Sequence, residues 1–210
     1  MNRMNWKLVK VSKDLVLRTI DNASETDWYN GLDWYREAHR FARFMSRKTK
    51  LPFKNVCGVI AALSPGTPWH RNILESTLML EGKHGSFTTY PANVDKAARI
   101  INGENPDAVL GGNKVRNFYK LFVNPSDDYS VVIDRHAVRI AVDFNFSDER
   151  QASRFLVSNY ERCADAYREA ALDLGVFPNQ AQAIAWETYR NLPKKERVWG
   201  NAQALSLIHI

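Results

Sequence analysis

Apolar residues recur every three to four positions along most of this chain. The spacing predicts helices over roughly 12–21, 27–47, 54–63, 69–82, 94–102, 113–122, 135–143, 148–174 and 178–191. Strand-like alternation is nearly absent. The segments are punctuated by Leu51-Pro52, Ser64-Pro65-Gly66-Thr67-Pro68, Tyr90-Pro91, Gly103 to Pro106, Gly111-Gly112, Asn124-Pro125-Ser126 and Gly175 to Pro178. The expected fold class is all-α, with neither an internal repeat nor a low-complexity linker. Within this pattern VVIDRHAVRI, residues 131–140, sets a carboxylate where a short apolar run gives way to a helix.

A length of 210 residues and an apolar content of 45% suffice for one domain with a real core, or two lobes of one unit. The formal charge of +6 favours a polyanionic partner without requiring one. Cys57 and Cys163 stand apart, with no Cys/His ligand spacing, so neither a metal site nor another cofactor is expected. No apolar run approaches membrane-spanning length, and the first residues lack the long apolar core of a secretory signal. A cytoplasmic protein without membrane association is expected.

Asp134 stands where an N-cap would open the helix of residues 135–143, a role worth about 1 kcal/mol that needs no chemistry. Gly111-Gly112 precede a helix whose first turn holds Asn113, Lys114 and Arg116. A glycine turn there exposes backbone N–H groups to an anion, and neighbouring cations would reinforce phosphate binding; plain turn chemistry is the alternative. Trp28, Tyr35 and His39 fall near one helical face, which suits a core as well as base stacking. The Ser64–Pro68 loop ends against Trp69, and Gln180 and Glu187 flank an apolar stripe at Ala183, Ile184 and Trp186.

Taken in order, AALSPGTPWHRNI (61–73), GGNKV (111–115) and VIDRHAVRIA (132–141) resemble the helix-hairpin-helix DNA glycosylase superfamily. The likeness covers about 54–142. With the late QAIAW segment it is nearest the phage-associated branch named for α-glutamyl/putrescinyl thymine pyrophosphorylases, which includes an anti-phage glycosylase acting on glucosylated hydroxymethylcytosine. The sequence departs from the superfamily at the hairpin, Val109-Leu110-Gly111-Gly112-Asn113, and lacks the cysteine cluster of some members.

The resemblance implies a two-lobed helical domain over 1–198, with flanking helices as the second lobe and a tail at 199–210. It implies a monomer that flips and excises a modified pyrimidine from double-stranded phage DNA, leaving an abasic site. Asp134 would then stabilise positive charge developing on the sugar. Lys114 matches the Schiff-base lysine of strand-cutting members, or else sits beside phosphate. Ser64, Thr67, Trp69, Tyr35, Trp28, Gln180 and Glu187 would form the wedge or base pocket. Gly111, Gly112, Asn113, Arg116, Arg135 and Arg139 would contact phosphates, and His136 would be structural. A transferase that builds a hypermodified base on a pyrophosphorylated hydroxymethyl-pyrimidine, and a non-catalytic DNA-binding module, remain the alternative functions.

Overall fold

A computed structural model describes residues 6–83 and 85–193; the tail expected at 199–210 lies outside them. The described residues form an all-α fold. Its helices are α1 (Lys13–Ile20), α2 (Glu25–Thr49), α3 (Phe53–Leu63), α4 (Trp69–Leu80), α5 (Pro91–Ile101), α6 (Pro106–Val109), α7 (Asn113–Val123), α8 (Arg135–Ala141), α9 (Glu149–Leu174) and α10 (Pro178–Asn191). A single 3-10 turn precedes them at Trp6–Leu8. The described residues fall into two compact units, one from 6–34 with 131–193 and one from 35–130.

In the first unit α9 packs against α1, α8 and α10. Its buried face carries Ala164, Ala170 and Ala171 beside the larger Phe155 and Tyr167, so small residues let neighbouring helices approach while rings fill the space between them. Asp148 caps its start and Gly175 its end, the latter with φ 66°. In the same unit Gly31 is pressed against α10, where a β-carbon would lie 2.5 Å from the Ile184 backbone.

The buried run Val131-Val132-Ile133 forms neither helix nor ladder, so its backbone polar groups need other partners. Tyr160 on α9 supplies two of these: its hydroxyl donates to the Val131 carbonyl (2.9 Å) and accepts from the Ile133 N–H (3.0 Å). Two turns along α9, the Tyr167 hydroxyl donates to the Ala137 carbonyl at 2.8 Å. The strand-like run and the start of α8 are therefore both pinned to α9. Val142, which helical spacing includes in this segment, instead leaves α8 in an extended conformation and makes an isolated antiparallel bridge with Val11.

In the second unit α3 is the central helix, buried from Val56 to Leu63 and packed by α4, α5, α6 and α7. Buried Glu75 on α4 accepts from the Thr88 N–H (3.0 and 3.1 Å) and hydroxyl (2.6 Å), and pairs with Arg71 at 3.2 Å. That carboxylate fastens the loop before α5 to α4. The Thr89 hydroxyl donates to the Pro65 carbonyl at 2.8 Å, which ties down the Ser64–Pro68 loop.

Candidate active site

Asp134 is the N-cap of α8. Its Oδ1 accepts from the backbone N–H groups of His136 (2.9 Å) and Ala137 (2.8 Å), and its Oδ2 accepts from the Trp186 indole N–H at 3.3 Å. The carboxylate is thus oriented by its own helix and by α10, yet the residue remains half-exposed. Three N–H donors fix a charged group at the surface more tightly than capping alone requires. The Arg190 guanidinium lies over the Trp186 ring, 4.3 Å from its centroid.

His136 is half-buried with its ring near Tyr189, centroids 5.8 Å apart. Burial holds its imidazole below the ordinary range against an upward pull from Asp134, while Arg135, Arg190 and Arg139 press it further down. Arg135 Nε donates to His136 Nε2 at 3.3 Å, so that nitrogen acts as an acceptor. A neutral ring packed in this way supports the site's architecture.

Several other candidates in this unit already have protein partners. Arg135 pairs with Glu149 at 2.5 Å, and Arg139 donates to the Phe146 carbonyl at 3.4 Å. The Gln180 side chain accepts from the Phe177 N–H (3.0 Å) and donates to the Leu32 carbonyl (2.9 Å), both ends of its amide serving the backbone. Glu187 is half-buried, and burial foremost raises its carboxyl above the ordinary range; Arg190 opposes this and Asp27 adds to it. Trp28 packs against the core of this unit.

The remaining candidates lie in the second unit. Gly112 has φ 76° and ψ 140° and caps α7 from a conformation that disfavours side chains. Asn113 and Lys114 open α7, and Arg116 folds back to donate to the Leu110 carbonyl at 2.9 Å, bracing the exposed Gly111-Gly112 turn. Ser64 donates to the Ala61 carbonyl, whereas the Thr67 hydroxyl oxygen is buried without a hydrogen-bond partner among the described residues. Such an orphaned hydroxyl is the kind of group a water or ligand satisfies. Trp69 packs near Phe122 (5.9 Å), and buried Tyr35 meets Phe118 edge-on (6.2 Å).

His39, read with Trp28 and Tyr35 as part of one face, has a different local role. Its Nδ1 lies 2.8 Å from the Phe122 carbonyl and its Nε2 accepts from Arg43 Nε at 3.2 Å. These partners select the neutral tautomer protonated at Nδ1. Sequence reasoning also missed a cleft of about 340 Å³ lined by Lys54, Asp107, Tyr119, Lys120, Val123, Asn124 and Asp127. Burial there pushes the Tyr119 hydroxyl up to about 12, with smaller contributions from Asp107 and Cys57.

Cys57 and Cys163 are buried, and burial pushes both thiols up to about 12, so neither is a ready thiolate. Among the described residues no helix is long and apolar enough to cross a membrane.

A family model described as "Family of unknown function (DUF7178)" matches residues 4–193. The chain belongs to the DUF7178 family. No curated protein and no solved structure matches it. The matched DUF7178 span takes in every candidate site residue placed above, including Asp134 and the Gly111-Gly112 turn, as well as Trp186.

Proposed function

We propose that this chain is a helix-hairpin-helix DNA glycosylase that flips a modified pyrimidine out of phage DNA and hydrolyses its N-glycosidic bond. The observation that carries the reading is the half-exposed Asp134 carboxylate, held by two backbone N–H groups and the Trp186 indole. As the bond to the base breaks, positive charge develops on the deoxyribose. A carboxylate already fixed in position stabilises that charge without having to reorganise during the step.

The remaining roles follow from local chemistry. The N–H groups and cations around Gly111, Gly112, Asn113 and Lys114 suit a phosphate, and the Ser64–Trp69 segment supplies the wedge that replaces an extruded base. A glucosylated hydroxymethylpyrimidine is the proposed substrate, drawn from the sequence resemblance, and removing it from phage DNA would serve anti-phage defence.

The test is mass spectrometry of small products after the protein is incubated with duplexes carrying cytosine, hydroxymethylcytosine or glucosylated hydroxymethylcytosine. Release of a free modified base in the absence of any co-substrate supports the reading. Intact bases throughout, or release only when an amine or amino acid is supplied, would overturn it.

A further inference from the structure

Between Glu37 and Glu75 the sequence contains no carboxylate, while Arg40, Arg43, Arg47, Lys48, Lys50, Lys54 and Arg71 all fall there. This one stretch carries more than the net charge of +6 of the whole chain. Elsewhere acids and bases balance, so the basic character is local to the second unit.

Helical geometry sharpens this segregation. Arg36, Arg40, Arg43 and Arg47 follow a four-three-four spacing on α2, which sets them on one stripe, and all four are exposed. Arg40 approaches Glu37 at 3.8 Å, Lys48 pairs with Glu81, and Arg71 turns to buried Glu75. No carboxylate pairs with Arg36, Arg43 or Arg47 among the described residues. Arg43 is held in place, its guanidinium 4.0 Å from the Phe53 ring centroid. Favourable interaction with the helix dipole accounts for cations in the last turn of α2, and leaves Arg36 and Arg40 unexplained.

Lys50, just beyond α2, adds to the pattern. It is the one non-glycine residue with positive φ, 60°, among the described residues. Glycine normally holds such a position after a helix, because a β-carbon there is strained against the following carbonyl. A lysine retained at that cost extends the row of cations past the helix end.

We infer that the exposed arginine stripe of α2, continued by Lys50, is a binding ridge for the phosphate backbone of duplex DNA. The four arginines span about 16 Å along the helix axis, a length over which one strand presents about five phosphates. Guanidinium groups suit this partner because their planar forks bind phosphate oxygens in pairs. The inference rests on the glycosylase reading for its choice of DNA as the polyanion.

The experiment measures binding of an unmodified duplex by fluorescence anisotropy from 50 to 300 mM salt, over which the Debye length falls from about 14 to about 6 Å. Wild type is compared with R36Q/R40Q/R47Q, which leaves Arg43 on His39, and with the charge-matched control R18Q/R150Q/R154Q; melting curves confirm that each is folded. The ridge variant is expected to bind about 10- to 100-fold more weakly near 100 mM salt, with the salt slope reduced by about 2.7, three phosphate contacts at 0.9 each. Binding and slope equal to wild type, or equal losses in the control, would overturn the ridge. Failure of wild type to bind duplex, or a ridge-dependent preference for anionic vesicles, would overturn it too. Base release by the ridge variant at saturating protein is scored separately, so the ridge can fail while the assignment of Asp134 stands.

Discussion

Tyr160→Phe removes one oxygen atom and leaves two buried backbone groups without their partner. The hydroxyl lost is the one that accepts from the Ile133 N–H and donates to the Val131 carbonyl. Val131 and Ile133 are 0% and 1% exposed, so water cannot readily replace it. A buried polar group stripped of its partner costs about 1–3 kcal/mol, so losing two puts the variant about 2–6 kcal/mol below wild type. For a chain of this size that lowers Tm by about 4–24 °C, at about 2–4 °C per kcal/mol. Tyr167→Phe is the internal comparison: it removes a single bond, to the Ala137 carbonyl, and should cost about 1 kcal/mol. Guanidinium unfolding of wild type and both variants, with parallel thermal melts, checks the ordering. A Tyr160→Phe variant within 0.5 kcal/mol of wild type would refute the claim that this hydroxyl holds the approach to Asp134.

Three further outcomes test other parts of the fold. Gly31→Ala should destabilise by about 3 kcal/mol or more in chemical denaturation, because its β-carbon would sit 2.5 Å from Ile184 backbone atoms that have no rotamer to escape into. Lys50→Gly should raise stability by about 1 kcal/mol by relieving the left-handed conformation, measured the same way. Burial holds the His136 imidazole below its ordinary value of 6.5, so the unfolded chain binds more protons as pH drops past that value. His136 therefore contributes stability that is present above about pH 6.5 and lost as pH falls toward its folded value. Unfolding curves from pH 8 to 5 should show this decline flattened in His136→Gln.

The long helices were legible because each buries an apolar stripe over at least two turns. α6 was not, since four residues opened by Asn105-Pro106 are too few to show a period. α5 starts at Pro91 because proline is favourable in the first turn of a helix, where the sequence pattern reads a break. Asp134 could be recognised as a cap from its neighbours alone, but its bond to Trp186 joins residues 52 positions apart and depends on the packing of α10. Gln180 reads in sequence as an available amide, and only the fold shows both its ends committed to Phe177 and Leu32. The arginine stripe was present in the spacing of α2 all along, masked there by the aromatic residues interleaved with it.

The central claim is that the Asp134 carboxylate promotes loss of the base. Its most direct test is the single-turnover rate of base release by Asp134→Asn, with DNA affinity measured on the same preparations. Asparagine is as good an N-cap as aspartate, so the fold and DNA binding should survive. Release of modified base should fall by at least about 100-fold, the scale on which preorganised electrostatic groups act. Release at the wild-type rate by a folded, DNA-binding Asp134→Asn protein would contradict the account.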